Sequence, residues 1–229
     1  MAGVAVRRIW RTLLRWYFKF FYSHRLQRPA VVEVDGFPFL IMPGVFNPCL
    51  FFTGEFLARH LRREPILPEA RVLDLGTGCG IAAVFASLQA RRVVAVDIEQ
   101  AAVRCAQINV WLNQAEHCVE IRQGDLFSGL DGERFDLVLF NPPYFRGDPQ
   151  TPLERAFRSQ DIDARFADSL REHLVPGGSA LLVLSSMGEE RSFLEKLHAR
   201  GFRCDPIAEE RKLLEIFRIY RVEFESDAL

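Results

Sequence analysis

The hydrophobic positions after residue 70 fall into short apolar runs that alternate with longer amphipathic stretches. Strand-like runs are predicted at 72–75, 93–96, 119–122, 137–140 and 179–185. Helical periodicity is predicted at 81–89, 100–113, 161–174 and 189–200. Such alternation is typical of a parallel sheet with helices packed on both of its faces.

The C-terminal end of this pattern differs from the rest. The stretches at 201–202 and 213–224 follow each other with no helix long enough for a right-handed crossover. We therefore expect them to pair antiparallel, as a terminal hairpin at the sheet edge. The predicted fold is a Rossmann-like α/β domain with a seven-stranded, mostly parallel sheet and an antiparallel C-terminal hairpin.

A shorter pattern precedes this region. Two β-like runs at 31–34 and 37–42 flank Asp35-Gly36, a dipeptide that supplies the positive φ values a tight hairpin turn requires. Pro43-Gly44 then interrupts the pattern, and residues 45–53 lead into a helical stretch that runs to about residue 63. We expect this segment to lie like a lid over whatever follows.

The first 28 residues form a basic, aromatic arm with seven Lys and Arg and no acidic residue. As a helix, it places Ile9, Leu13, Trp16 and Phe20 on one face. Three interpretations stay open: a helix docked on the body, a surface that meets anionic lipid or nucleic acid, or a cleaved targeting peptide. The simplest division of the chain is an arm over 1–36, including the start of the hairpin, and a catalytic domain over 37–229.

Composition excludes several classes. About half of the 229 residues are apolar, yet no run approaches the ~18 apolar residues of a membrane-spanning helix. The five cysteines are widely spread, with no C-x-x-C pair, so we expect neither a disulfide framework nor a metal site. Such cysteines are typical of small core residues in a reducing compartment, which favours a cytoplasmic location. All 30 acidic residues lie after residue 28, so the body is acidic.

The strongest local signal is a glycine-rich turn after the first buried strand, where Asp74-Leu-Gly-Thr-Gly-Cys-Gly80 runs into a helix. Glycines at 76, 78 and 80 let the backbone approach a ligand at the carboxyl edge of the strand, where doubly wound sheets bind nucleotides. A nucleotide-like cofactor is expected there, with Thr77 in the loop. Asp74 is a candidate to bond the cofactor's amino-acid part or to orient the loop. The alternative is a glycine turn without a ligand.

The second strand ends at Asp97, about 21 residues after Gly76. An acidic side chain at this place accepts hydrogen bonds from ribose hydroxyls, and the adjoining Ile98 is expected to line the same site. Taken alone, such an acid is more often a helix N-cap. NAD-binding proteins share both features, but the G-x-G-x-G spacing here differs from the usual G-x-G-x-x-G.

The cofactor is indicated by a second motif, because the strand at 137–140 ends in Asn141-Pro142-Pro143-Tyr144. Together with Asp-Leu-Gly-Thr-Gly-Cys-Gly, it resembles the class I methyltransferases of the small-domain group, which includes the HemK-type glutamine N5-methyltransferases and several N6-adenine and N2-guanine enzymes. The resemblance covers roughly residues 37–224. It implies S-adenosyl-L-methionine as the cofactor and a planar amide or amino nitrogen as the methyl acceptor.

The residue types of this motif suit that chemistry. An amide or aromatic amino nitrogen is a poor nucleophile because its lone pair is delocalised. Prolines hold the backbone rigid, so that the side-chain oxygen of Asn141 and the carbonyl of Pro142 are expected to accept the two N–H hydrogens of the target. Pro143 would fix the same turn, and Tyr144 would flank the flat target group. The alternative is an ordinary rigid turn.

The resemblance also implies further cofactor contacts. Asp125, after the third strand, corresponds to an acid that contacts the adenine amino group, and Leu126 is a candidate for the apolar wall of the adenine slot. Phe46 and Thr53 belong to a segment that closes over the methionine end of the cofactor. This segment departs from the HemK pattern toward the Pro-Gly-Val-Phe form of ribosomal-RNA guanine enzymes, which leaves the substrate in doubt.

The residues leave four functions open. A glutamine-bearing protein substrate leads. Nucleic-acid binding would need a basic surface, which only the arm provides, so the acidic body favours a protein or small-molecule target. An RNA or DNA base is the close rival. A non-catalytic subunit that retains the cofactor is disfavoured by the intact Asn141, Pro142 and Tyr144. A nicotinamide-dependent oxidoreductase would be revealed by NAD binding without S-adenosylmethionine binding.

Overall fold

The computed structural model describes residues 28–48, 52–143, 145–146, 158–159, 161–212 and 215–224. The basic arm up to residue 27, Tyr144 and the start of the predicted last strand at 213–214 lie outside these ranges. In chain order the elements are β1 Ala30–Val34, β2 Phe37–Ile41, α1 Thr53–Leu61, β3 Arg71–Leu75, α2 Ile81–Ser87, β4 Arg92–Asp97, α3 Gln100–Leu112, β5 Val119–Gln123, β6 Phe135–Phe140, β7 Phe145–Arg146, β8 Arg158–Ser159, α4 Ile162–His173, β9 Leu174–Ser185, α5 Glu190–His198, β10 Phe202–Lys212 and β11 Glu215–Phe224.

The central sheet has seven strands in the order β10-β11-β9-β6-β3-β4-β5. Neighbouring strands are parallel from β5 to β9, while β11 runs antiparallel to both β9 and β10. The predicted fold class is therefore confirmed, including the antiparallel C-terminal hairpin. Of its two strands, β10 forms the edge of the sheet and β11 lies inside it.

Helices cover both faces of the sheet, as the alternating pattern predicted. One core contains side chains of α1, α2 and α3 with sheet residues such as Val72, Leu139 and Val183. The other contains side chains of α4 and α5 with sheet residues such as Leu73 and Phe140. Because neighbouring residues of one strand point into opposite cores, the strands appear in the sequence as continuous apolar runs.

The hairpin of β1 and β2 also agrees with its prediction. Ala30 pairs with Ile41 and Val34 pairs with Phe37, and the turn residues Asp35 and Gly36 have φ values of 48° and 87°. Val34 is buried in the same core as α1 and α2, so the hairpin packs on the domain and crosses the expected boundary between residues 36 and 37.

Two features were absent from the sequence prediction. β9 begins at Leu174, five residues earlier than expected, because Leu174 pairs with Phe135 before the ladder shifts register. A side chain on Gly178 would come within 3.0 Å of the Phe135 carbonyl oxygen, so glycine permits this close approach. The short strands β7 and β8, which pair in parallel, lack the length that makes a strand recognisable from its pattern.

The strand order creates one position where connections diverge. From β3 the chain proceeds to β4 and β5 on one side, and then returns to β6 on the other side of β3. In open α/β sheets, ligands bind at the carboxyl ends of the strands on either side of such a switch point. The glycine loop follows β3 and Asn141 follows β6, so both predicted motifs lie at this position.

Candidate active site

The glycine loop after β3 has three glycines in the left-handed region, with φ values of 63° at Gly76, 59° at Gly78 and 84° at Gly80. Their surroundings differ. A Cβ on Gly80 would lie 3.1 Å from Ala106, so this glycine lets the start of α2 pack against α3. A Cβ on Gly76 or Gly78 would meet no atom closer than 3.9 Å. These two glycines therefore leave open space beside the backbone, which is where a cofactor would lie.

Asp74 lies near the end of β3, next to this loop, and stabilises it through a hydrogen bond. The hydroxyl of Thr77 donates a hydrogen bond of 2.6 Å to the carboxylate of Asp74. Asp74 is buried, and this desolvation raises its pKa to about 7, despite the opposing effect of the Thr77 hydrogen bond. Its charge state therefore changes in the neutral range, and a cation bound near the loop would favour the ionised form.

Asp97, at the end of β4, joins the glycine loop to the next loop. One carboxylate oxygen accepts the backbone N–H of Gly78 at 2.8 Å, and the other accepts that of Glu99 at 2.9 Å. Burial raises the pKa of Asp97. The adjoining Ile98 is exposed and presents an apolar surface at the same edge. The predicted ribose acid thus also holds the loop, a second role that spacing alone did not reveal.

The third cofactor segment follows β5. The N–H of Gly124 donates to the carbonyl oxygen of Asp97 at 3.0 Å, which brings Asp125 and Leu126 close to the end of β4. Leu126 adopts a φ of 52°, rare for a residue with a side chain, and packs against the core beneath α4. Asp125 forms an ion pair of 2.6 Å with Arg165 of α4. An adenine amino group would share this carboxylate with Arg165.

Asn141 follows β6, next to the glycine loop. Leu75 and Phe140 are paired across the parallel strands β3 and β6, so the two loops emerge side by side from one edge of the sheet. The amide nitrogen of Asn141 donates a hydrogen bond of 3.1 Å to the hydroxyl of Thr53, which is fully buried. This bond orients the Asn141 amide. Pro142 is buried and Pro143 half-buried in the same turn.

The segment before α1 lies against the glycine loop. A Cβ on Gly78 would be 4.0 Å from Phe46, which places Phe46 beside the open part of the loop. Pro48 packs so tightly on Gly54 that a Cβ there would lie 2.8 Å from it. The described part of this segment therefore contacts the domain at the glycine loop and at the start of α1, while its role as a lid stays a prediction.

Asn109 is a structural residue of the site that the sequence analysis missed. Its amide exchanges two hydrogen bonds with the backbone of Leu40, of 2.7 and 2.8 Å, and its nitrogen also donates to the carbonyl oxygen of Cys79 at 2.8 Å. It therefore ties the β1–β2 hairpin to the glycine loop. The one sequence signal for this role was an asparagine on the inner face of α3, because a buried amide group needs hydrogen-bond partners.

A second group that sequence reasoning missed lies beside Thr53. The Phe52 ring lies 5.8 Å from that of Phe217 and 5.7 Å from that of Phe56, with the Lys212 ammonium 4.3 Å from its centroid. Phe52 adopts a φ of 64° directly before Thr53. Ser185, nearby on β9, donates to the carboxylate of Glu215. These residues come from three distant chain segments, so no local sequence motif indicates that they lie together.

Two further observations limit the chemistry. Burial raises the pKa of Cys79 and of Cys105, so neither thiol is poised as a thiolate nucleophile. Within the described ranges, no three His, Cys, Asp or Glu side chains are grouped closely enough to hold a metal ion.

The same ranges contain no helix long and apolar enough to cross a membrane.

Comparison with known proteins identifies a family. The family described as methyltransferase small domain matches residues 37–212. The chain is 27% identical over 184 residues to a Methanocaldococcus jannaschii protein named as a protein N5-glutamine methyltransferase, covering 76% of this chain and 89% of the relative. It is 35% identical to a release factor glutamine methyltransferase of Koribacter versatilis, covering 66% and 59%. It is 30% identical to a ribosomal protein uL3 glutamine methyltransferase of Bradyrhizobium diazoefficiens, covering 74% and 60%.

Solved structures resemble the fold. A 16S rRNA N2 methyltransferase of T. thermophilus, in complex with AdoMet and guanosine, superposes with a TM-score of 0.65 at 22% identity over 86% of this chain and 50% of that one. A ribosomal protein L11 methylase of Lactobacillus delbrueckii gives 0.59 at 22% identity over 79% and 82%. Similarity at this level concerns the fold. The chain also spans only about three fifths of the length of the release factor and uL3 relatives.

Proposed function

Because this chain belongs to the methyltransferase small domain family, we propose that it transfers the methyl group of S-adenosylmethionine to the side-chain amide nitrogen of glutamine in a protein. The observation that carries the proposal is the Asn141–Thr53 hydrogen bond at the edge shared with the glycine loop. Relatives named as glutamine methyltransferases of release factor and of ribosomal protein uL3 support the acceptor class.

The cofactor half of the site fits S-adenosylmethionine. Gly76 and Gly78 leave room beside the loop, and the carboxylate of Asp97 faces the same edge with lone pairs beyond those used by Gly78 and Glu99. Asp74 supplies a buried carboxyl group at the glycine loop, which would bind the cationic methionine end of the cofactor. When bound, S-adenosylmethionine supplies an electrophilic methyl group on a positively charged sulfur.

The acceptor half of the site would then position one nitrogen. Thr53 accepts a hydrogen bond from the NH2 group of Asn141 and so orients the amide. In this orientation the Asn141 side-chain oxygen would accept one N–H of the glutamine amide. The backbone carbonyl of Pro142 accepts the other. With both hydrogens held, the nitrogen lone pair faces the methyl group. The N–C bond would form as the S–C bond of the cofactor breaks, and the nitrogen would release one proton to solvent.

Such a site needs no strong base. Fixing the nucleophile in line with the methyl carbon removes most of the entropic barrier, and fixed hydrogen-bond acceptors stabilise the positive charge that develops on nitrogen. Tyr144 would flank the amide plane. The C-terminal part of the chain, up to residue 229, would belong to the same catalytic domain. Because the proposed acceptors serve translation, the enzyme would act in the cytoplasm.

The test of the proposed function is methyl transfer from tritiated S-adenosylmethionine to a cell extract divided into nuclease-treated and protease-treated halves. We expect protease to remove the label and nuclease to leave it, and mass spectrometry to place the methyl group on a glutamine. Label removed by nuclease alone would contradict the proposal and establish an RNA or DNA base as the acceptor. Purified release factor and ribosomal protein uL3 are the first individual substrates to assay.

A further inference from the structure

The carboxyl end of β9 and the adjacent amino end of the antiparallel strand β11 carry a polar pair beside the acceptor site. The hydroxyl of Ser185, which is 1% exposed, donates a hydrogen bond to Glu215, and the same hydroxyl accepts the backbone N–H of Met187 at 3.1 Å. Glu215 is itself half-buried. The serine therefore fixes one oxygen of a partly desolvated carboxyl group.

This pair lies on the same face of the sheet as the catalytic turn. Leu139, Val183 and Phe217 all point into the core beneath α1. Because side chains alternate along a strand, Ser185 and Glu215 project to that face as well. Asn141 donates a hydrogen bond to Thr53 at the start of α1, which places its side chain on the same face. Phe217 is paired with Ser185 across the ladder, and its ring contacts that of Phe52, the residue before Thr53.

The separation suits a substrate that spans both groups. Phe140 is paired with Leu182, so Asn141 lies level with Val183, one strand away and two residues short of Ser185. Standard strand spacings put the backbones of Asn141 and Ser185 roughly 8 Å apart. Two or three residues of extended peptide cover this distance. Because the Glu215 carboxylate accepts a hydrogen bond from Ser185, a group bound to it would lie a few peptide residues from the methylated side chain.

Glu215 differs from the other carboxylates of the terminal hairpin. Glu209, Glu210 and Glu223 each form an ion pair with Arg or Lys. Within the described part of the chain, no cationic nitrogen lies within ion-pair distance of Glu215. Lys212 is opposite Glu215 in the ladder, but its ammonium lies 3.2 Å from Glu210 and against the Phe52 ring.

A half-buried carboxylate without a cation is unfavourable, since burial removes water that would stabilise its charge. Burial accordingly raises the pKa of Glu215. Ionisable side chains whose charged form is destabilised by burial are often found at functional sites, where they bind a ligand. A carboxylate here repels the phosphates of a nucleic acid, whereas it accepts hydrogen bonds from peptide N–H groups.

We propose that Glu215, oriented by Ser185, is a specificity-determining residue of the acceptor site, where its carboxylate accepts hydrogen bonds from backbone N–H groups of the peptide beside the methylated side chain. The inference rests on the proposed function, because it assigns the acceptor to a peptide. It adds a residue that selects peptide over nucleic acid and is separate from the groups that hold the reacting nitrogen.

The experiment compares the full chain with its Glu215→Gln variant, using purified release factor as the acceptor, or uL3 if that is the better substrate. We expect the KM for the protein acceptor to rise about tenfold, kcat to change less than twofold and S-adenosylmethionine affinity to stay constant. Ser185→Ala should raise KM about threefold, because the carboxylate stays but loses its orientation. Glu215→Asp should recover part of the lost affinity.

Glu223→Gln is the matched control, since Glu223 lies at the opposite end of the same strand. It should leave KM unchanged. Thermal unfolding separates a structural role from a binding role: Glu215→Gln should unfold no earlier than the wild type, because it removes a desolvated charge.

The outcomes distinguish the two proposals. If the wild type methylates the protein and Glu215→Gln has the same KM, the inference about Glu215 is overturned while the proposed function stands. Early unfolding of Glu215→Gln with unchanged KM in the folded fraction also overturns it. If the wild type labels only nucleic acid, the proposed function fails before Glu215 is tested.

Discussion

The cofactor half and the acceptor half of this site are built in different ways. The cofactor half uses the loops after β3, β4 and β5, which are joined by short bonds such as Gly78 to Asp97 and Gly124 to Asp97. The acceptor half joins Thr53, Asn141 and the β9–β11 end through contacts between side chains far apart in sequence. The loops of the first half are held in place by local backbone bonds. The second half depends on tertiary contacts, and it is here that we propose the substrate is selected.

This comparison predicts its largest effect at Asn141. Asn141→Ala should lower kcat by on the order of a hundredfold or more, because fixed acceptors at the reacting nitrogen act mainly in the transition state. S-adenosylmethionine affinity, measured by calorimetry, should stay nearly the same. Asn113→Ala is the control, since Asn113 bonds Pro38 away from the site. Loss of cofactor binding in Asn141→Ala would show that the two halves are not separable.

The second effect concerns the cofactor half of the site. Asp97→Ala should weaken S-adenosylmethionine binding by roughly 1.5–3 kcal/mol, the range of hydrogen bonds to a charged acceptor, with little change of kcat at saturating cofactor. Asp97→Asn should weaken it less, because an amide oxygen can still accept one N–H of the loop. An unchanged dissociation constant in Asp97→Ala would remove Asp97 from the cofactor site.

The third effect depends on pH. Because the pKa of Asp74 is raised to about 7, its carboxyl group is largely protonated at pH 6 and ionised at pH 8. The ionised form favours a cationic cofactor, so S-adenosylmethionine affinity should fall by about tenfold from pH 8 to pH 6. Asp74→Asn should show no such fall. A wild-type affinity that rises with acidity would contradict this sign.

The smallest effect tests the adenine side. The Asp125–Arg165 ion pair is about half exposed, so its own contribution to stability is small, about 1 kcal/mol at most. Arg165→Ala should change S-adenosylmethionine affinity less than threefold if Asp125 bonds the adenine amino group beside it. Asp125→Ala should weaken affinity more than Arg165→Ala does. The reverse order, measured by calorimetry, would contradict the assignment of the amino-group contact to Asp125.

The two halves also differ in what the sequence could predict. The glycine loop, Asp97 and the Asn141 turn are contiguous with strands, so local pattern and spacing located them. Asp35-Gly36 likewise predicted the hairpin turn between β1 and β2. The bond from Asn141 to Thr53 joins residues 88 positions apart, and that from Ser185 to Glu215 spans 30. Only strand order brings such residues together, and apolar periodicity does not encode the order.

The contacts that stabilise the cofactor half could not be predicted from local sequence pattern either. Asn109 contacts Leu40 and Cys79, and its place on a helix gives no sign of either partner. The pairing of Asp125 with Arg165 depends on how α4 packs against the sheet. Electrostatic detail of this kind follows from tertiary packing.

The central claim is that the turn after β6 holds the acceptor nitrogen opposite a methyl group held by the loop after β3. The most direct measurement is the distance from the S-adenosylmethionine methyl carbon to the Asn141 side-chain oxygen in a crystal structure of the complex. One hydrogen bond of about 2.9 Å and an attack distance of about 3–3.5 Å limit that distance to roughly 6 Å. We predict a value within this limit; a methyl group that faces another cavity, or lies well beyond it, would contradict the account.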